Sequence, residues 1–318
     1  MILITGSAGY IGSELCKSLE IKKIKYIGID SLKYSYRFNI FNTKKFIKSC
    51  ISNEKKIFEI LKKYKVSTVI HTAAYAYVND AERNKEKYKM NNILKTKKFI
   101  NITIHHGIKN FIFLSSSNVY SENKKHFSEN DKTKPKNFYG KTKLNIEKFL
   151  SKKKSKFNNL IVLRLFNIIG LTKKFKPKNF GNYKYQRFLF MVLFKMKKNL
   201  PLEVNYIKKK HNKMVFPSRD FVDIRDLSKL ILLINKSFKN NNLYKTYNVG
   251  KGKSYSLDKI LKIIKNNNKK MLVNYNKISN KEYNSTKSII SKVKKDYKWQ
   301  ANQNMKISIN SYIKNLII

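Results

Sequence analysis

An apolar start, Met1–Thr5, runs directly into Gly6-Ser7-Ala8-Gly9-Tyr10-Ile11-Gly12. A Gly-x-x-Gly-x-x-Gly turn between a strand and a helix is the opening of a parallel βαβ unit, and few other folds need it. Gly6 permits the tight turn, Gly9 lets backbone N–H groups approach a pyrophosphate at the helix N-terminus, and Gly12 allows close packing of helix on sheet. The chain has only ten glycines in 318 residues, so three within seven positions are not a product of composition.

The rest of the first half keeps that rhythm. Apolar segments Met1–Thr5, Lys25–Asp30, Thr68–Thr72, Asn110–Ser115 and Leu160–Phe166 predict strands. Lys-rich amphipathic stretches Ile11–Ile21, Glu54–Tyr64, Ala81–His105 and Tyr139–Lys153 predict the crossover helices. The reading is a Rossmann-type, doubly wound parallel α/β sheet with a smaller C-terminal α/β substrate-binding lobe. Residues 1–166 form the dinucleotide-binding domain. Residues 167–318 form mainly the substrate lobe, with some segments returning to the sheet, because the alternation becomes irregular after Phe166 and long loops appear at Thr172–Asn182 and Lys208–Pro217. Asn240–Asn242 and Asn266–Asn268 read as low-complexity loop insertions.

Composition bounds the function. The formal net charge is +51, but 64 of the 70 basic residues are Lys, spread along the chain, and only six are Arg. Lys, Asn and Ile share A/T-rich codons, so we read the charge first as coding bias and only second as selection for a polyanion; no nucleic-acid recognition motif accompanies it. Cys16 and Cys50 supply neither a disulfide framework nor metal spacing, and no metal is expected. No apolar run is long enough to span a bilayer, and Met1 leads straight into the first strand with no room for a signal peptide. A cytoplasmic protein is expected, with no membrane and no specific nucleic-acid partner.

Two further features carry chemistry. Asp30 ends the second strand, 18 residues beyond Gly12, where a carboxylate accepts hydrogen bonds from an adenosine ribose and repels a 2′-phosphate. That favours NAD over NADP, although Lys33 and Arg37 stand nearby. Tyr139 and Lys143 lie four apart on a predicted helix, hence on one face. A phenol needs about 4 kcal/mol of differential stabilisation to be half-ionised at neutral pH, and a cation about 4 Å away supplies that order of energy. The spacing alone is weak: Tyr120/Lys124, Tyr206/Lys210, Tyr247/Lys251, Tyr255/Lys259 and Tyr283/Lys287 share it. Only Tyr139/Lys143 follows both the glycine turn and a serine run, Ser115-Ser116-Ser117.

With those elements in order, the chain resembles the extended short-chain dehydrogenase/reductase family, particularly its UDP-glucose 4-epimerase branch of NAD-dependent nucleotide-sugar epimerases and dehydratases. Further matching segments are His71-Thr72-Ala73-Ala74, Asn91-Asn92-Ile93, Ser115-Ser116-Ser117-Asn118-Val119-Tyr120, Arg164-Leu165-Phe166-Asn167-Ile168-Ile169-Gly170, Pro201-Leu202, Arg219-Asp220-Phe221-Val222-Asp223 and Tyr247-Asn248-Val249-Gly250. The resemblance implies NAD as cofactor and Ser116, Tyr139 and Lys143 as the catalytic set, with Tyr139 as base. It implies a cofactor site of Gly6, Gly9, Tyr10, Ile11, Gly12, Asp30, Ser31, Cys50, Ile51, Ala73, Ala74, Asn92, Tyr139, Lys143 and Phe166. Ser116, Asn118, Tyr139, Asn167 and Arg219 would hold a nucleotide sugar, most simply a UDP-sugar, and relatives commonly form homodimers through two long helices.

The residues after Ser116 discriminate among reactions. Dehydratases of the family usually carry Asp-Glu there and decarboxylases a Glu at the second position, whereas this chain has Ser117-Asn118. C4 epimerisation is the leading expectation, with 4-ketoreduction or 4,6-dehydration as alternatives and a noncatalytic polyanion-binding protein on the same fold behind them. Ser49-Cys50 replaces the usual Gly-Asp at the adenine end, and the C-terminal Arg of the family has only Lys277 and Lys281 nearby.

Overall fold

The computed structural model describes residues 1–121, 125–177, 188–239, 243–266, 271–278 and 285–317. Lys124, Asn182, Asn240–Asn242, Asn267, Asn268, Lys281 and Tyr283 lie outside the described residues.

The centre is a seven-stranded sheet, built from β1 (Ile2–Thr5), β2 (Tyr26–Asp30), β3 (Phe46–Lys48), β4 (Thr68–His71), β5 (Asn110–Ser116), β7 (Asn159–Leu165) and β12 (Leu243–Val249). Its order is β12-β7-β5-β4-β1-β2-β3 and every pairing is parallel. Strand alternation sends neighbouring residues to opposite faces, and both faces are covered. On one side Ile2, Ile4 and Ile112 pack with Leu15 and Leu19 of α1 (Tyr10–Ile21) and with Leu227 and Ile231 of α8 (Ile224–Lys236). On the other, Leu3, Val69 and Phe111 pack with Ile57 and Ile60 of α2 (Glu54–Lys63), Phe99 of α5 (Thr96–His105) and Ile146 and Leu150 of α6 (Phe138–Lys152). The order reverses between β1 and β4, so their C-terminal ends flank the crevice where such sheets take ligands.

The expected single helix Ala81–His105 is instead interrupted. It divides into α3 (Val78–Arg83), α4 (Lys85–Tyr88), a π-helical stretch Lys89–Lys95, and α5. Local side-chain bonding explains the break. Asn84 Nδ2 donates back to Asp80, and Thr96 Oγ1 donates to the Asn91 carbonyl five residues earlier, the reach of a π turn. Inside that widened turn, Asn92 clamps the backbone of Tyr75, accepting from its N–H at 2.9 Å and donating to its C=O at 2.9 Å.

The remaining elements lie past the ends of the central strands. Strands β8 (Asn167–Ile169), β11 (Ser218–Asp223) and β13 (Ser254–Ser256) form one small sheet. Strands β9 (Leu202–Lys208), β10 (Met214–Val215) and β14 (Val273–Lys277) form another, and β6 (His126–Phe127) pairs with β15 (Lys287–Ser288). Their core joins Phe190 and Leu193 of α7 (Phe188–Lys197), Ile260 and Ile264 of α9 (Leu257–Lys265), and Ile309 and Tyr312 of α11 (Met305–Asn315). Helix α10 (Ser291–Tyr297) instead packs Val293 onto the central sheet's first core.

Candidate active site

The glycine turn closes as its spacing requires. Gly6 has φ +69°, and an added Cβ would stand 2.8 Å from Ala73 Cα. A Cβ on Gly12 would stand 2.1 Å from the Gly6 carbonyl oxygen, so helix and turn tolerate no side chain between them. Gly9 meets only that same carbonyl, at 3.1 Å.

Beyond the turn, a cleft with two limbs runs across the ends of β1, β4 and β5. The shorter limb, about 170 Å³, is lined by Asp30, Ser31, Cys50, Ile51 and Ala73. The longer, about 370 Å³, is lined by Ile11, Gly12, Ser116, Asn118, Tyr139, Lys143, Phe166 and Asn167. Gly6, Gly9, Tyr10 and Ala74 line both. Residues spread from Gly6 to Asn167 in sequence thus share one continuous surface.

Two expected residues do not lie on it. The asparagine facing the cleft is Asn91, while Asn92 is buried against Tyr75, because the π turn rotates the pair. Arg219 lies outside both limbs and donates from Nη1 to the Ser218 carbonyl at 3.0 Å. Sequence reasoning also passed over Tyr34, Tyr75 and Lys87 on the shorter limb. Lys87 Nζ is 3.1 Å from Asp80 and lies over the rings of Tyr34 and Tyr75 at 5.0 and 5.4 Å. No motif spacing signals them, since Tyr34 and Tyr75 come from two separate loops and Lys87 from the short helix α4.

Electrostatically the cleft divides. Burial pushes the Asp30 carboxyl up, against N–H donors from Leu32 at 2.8 Å and Ala8 at 3.2 Å. Behind the longer limb, burial pushes the His71 imidazole down to about 3, so it stays neutral; its Nδ1 is 2.9 Å from Thr5 Oγ1. Lys143 is buried, 5% exposed, at the wall of the longer limb. Its ammonium donates to the Leu114 carbonyl at 2.8 Å and sits 4.9 Å from the Phe113 ring centre and 5.9 Å from that of Tyr139. Burial pushes it down to about 7, against the attraction of Glu147.

That shift has a measurable consequence. The unfolded chain holds the Lys143 proton up to about pH 10.5, the folded protein only to about 7, so stability from this group rises with pH across that window. Ligand-free Lys143→Met is expected to be more stable than the parent at pH 7, the gap narrowing by roughly 3 kcal/mol by pH 10. Denaturant unfolding of both proteins at pH 7, 8.5 and 10 checks this; a gap independent of pH contradicts it.

The comparisons with known proteins agree on the family. The profile described as the NAD dependent epimerase/dehydratase family matches residues 2–250. The chain belongs to that family. A bifunctional protein gal10 of Schizosaccharomyces pombe is 28% identical over 80% of this chain, which spans only 38% of that relative's length. An ADP-L-glycero-D-manno-heptose-6-epimerase of Brachyspira hyodysenteriae is 29% identical over 86% of this chain and 83% of its own. Among solved structures, a UDP-glucose-4-epimerase from Stenotrophomonas maltophila with bound NAD and formylated UDP-arabinopyranose superposes with a TM-score of 0.87 at 19% identity, covering 98% of this chain and 96% of that one.

NAD is the cofactor of the family, and the residues present fit it. Gly6, Gly9 and Gly12 of the turn line the cleft at the start of α1 and carry no side chain that would keep a pyrophosphate from the backbone, and Asp30 and Ser31 stand on the wall where a ribose would lie. When bound, NAD accepts a hydride and returns it. Among the described residues, no three His, Cys, Asp or Glu side chains are grouped to hold a metal, and no helix is long and apolar enough to cross a membrane.

Proposed function

We propose that this protein inverts C4 of a nucleotide hexose, most simply a UDP-hexose, through a transient 4-keto sugar. The observation that carries the reading is the make-up of the longer limb. It presents Ser116, Tyr139 and Lys143 together, and no described residue lining it is an Asp, Glu or His. Eliminating water across a sugar ring calls for an additional acid and base, and the limb offers neither. Interconverting an alcohol and a ketone needs one base, and Tyr139 supplies it. Ser116 holds the reacting oxygen, Lys143, lowered by burial to about 7, shares its proton with the site near neutral pH, and Asn167 and Phe221 line the same limb.

A 4-ketoreductase would use the same groups, so the two are separated by redox balance. Epimerisation consumes no reductant. Incubating the protein with UDP-glucose or UDP-N-acetylglucosamine, with NAD but no reduced cofactor, is expected to give the C4-inverted sugar by NMR. Product that appears only with stoichiometric reduced cofactor would establish the reductase reading. A 4-keto-6-deoxy product would defeat both.

A further inference from the structure

The start of helix α6 fixes more than Tyr139. The Gly140 N–H donates to Asn137 Oδ1 at 2.8 Å. A backbone N–H can only donate, so this contact assigns the Asn137 amide: oxygen toward the helix, nitrogen away from it. That nitrogen donates to Asn118 Oδ1 at 3.0 Å, which in turn assigns the Asn118 amide and directs its Nδ2 at Ser116 Oγ, 3.1 Å away. The Asn118 backbone N–H donates to the same oxygen at 3.2 Å. The two segments are also in direct contact, since a Cβ on Gly140 would stand 2.1 Å from the Asn118 carbonyl oxygen.

A serine hydroxyl has two acceptor sites and one donor. Both Ser116 acceptor sites are taken, and no described residue accepts its proton. Ser116 lines the longer limb, so that proton is left for whatever binds there. We infer that Asn118, held by Asn137, is a positioning residue that makes Ser116 an obligate hydrogen-bond donor to the reacting oxygen of the substrate.

This inference rests on the proposed alcohol–ketone chemistry. A carbonyl oxygen can only accept, so a committed donor favours the keto form over an alcohol that must also place its own proton. It also excludes Ser116 as the base and leaves proton transfer to Tyr139: the sugar O–H bond breaks and a tyrosine O–H bond forms. Asn118 is thereby removed from direct substrate contact as its main role. An amide, rather than the carboxylate that the family's dehydratases and decarboxylases usually carry at this position, is what the arrangement requires, since a carboxylate would take the serine proton for itself.

The test is an isosteric swap within a double-mutant cycle. Asn118→Asp replaces the donor facing Ser116 with an acceptor, turning the hydroxyl away from the cleft. A fall in kcat of about 10²-fold is expected, the scale of losing one preorganised donor. KM should stay within about threefold, since ground-state binding is not the property being removed. Ser116→Ala should cost a similar factor, and adding Asn118→Asp to it should cost nothing further. A further loss of more than about fivefold in that background would overturn the inference, because Asn118 would then act independently of Ser116. A second readout needs no substrate. In the ¹⁵N-labelled ligand-free protein, Ser116→Ala should shift the side-chain amide resonances of Asn118 and, through it, Asn137. Unmoved amides would end the relay whatever the substrate is, whereas a wild-type protein that turns over no nucleotide sugar but shows the amide shifts would count against the proposed reaction alone.

Discussion

Tyr139→Phe is expected to abolish sugar turnover while leaving the fold and cofactor binding in place. Removing one oxygen deletes the phenol that the proposed reaction uses as its base, and a positioned acid or base contributes about 10²–10⁴-fold. The ring itself is structural. Tyr139 is 8% exposed and packs with Ala81, Tyr88, Tyr75 and Phe138, contacts that Phe retains. Thermal unfolding should therefore shift little, and titration with NAD should give an affinity near that of the parent, since the glycine turn and Asp30 are untouched. NMR of the sugar anomeric signals measures the loss. More than a tenth of parental turnover would show that the proton leaves by another route.

How far the chain could be read in advance follows from what each element depends on. Strands β1, β2, β4, β5 and β7 fall within a residue or so of their predicted spans, because a strand buried on both faces of a parallel sheet must be a short continuous apolar run. Strand β12 carries no such run. Leu243-Tyr244-Lys245-Thr246-Tyr247-Asn248-Val249 occupies the sheet edge, its first four residues half-exposed, and its place is set by pairing with β7. The broken helix after β4 was hidden for a related reason: Asp80–Asn84 and Asn91–Thr96 read in sequence as ordinary helix residues until their side chains find local backbone and carboxylate partners. In the site, Tyr139 and Lys143 were legible because four residues is a fixed geometric step on a helix. The Asn118–Asn137 contact spans 19 residues through an irregular loop, and no periodicity encodes it.

The largest stability effect is expected from Glu147→Gln, because α6 is anchored to the sheet by a buried ion pair. Glu147 receives Arg164 Nη2 at 2.8 Å and Nε at 3.2 Å, and Ser115 Oγ at 2.5 Å, with the charged side chains 6% and 9% exposed. Burial alone would lower the guanidinium pKa; hydrogen bonding and attraction from Glu147 outweigh it and hold it above its ordinary value. Arg164 also donates to Tyr120 Oη at 3.0 Å, and Tyr120 donates to Asn248 Oδ1 at 2.6 Å, so the network ties β5, β7 and β12 to the helix carrying Tyr139 and Lys143. Neutralising Glu147 leaves a buried cation uncompensated, at a cost of about 3–5 kcal/mol. Replacing the pair together, as Glu147→Leu/Arg164→Met, should recover part of that loss, since two desolvated charges are removed at once and apolar packing takes their place. Denaturant unfolding of the parent, the single variant and the double variant measures both terms. A loss below about 1 kcal/mol for Glu147→Gln would mean that water reaches Arg164 and that the pair does not hold the catalytic helix in register.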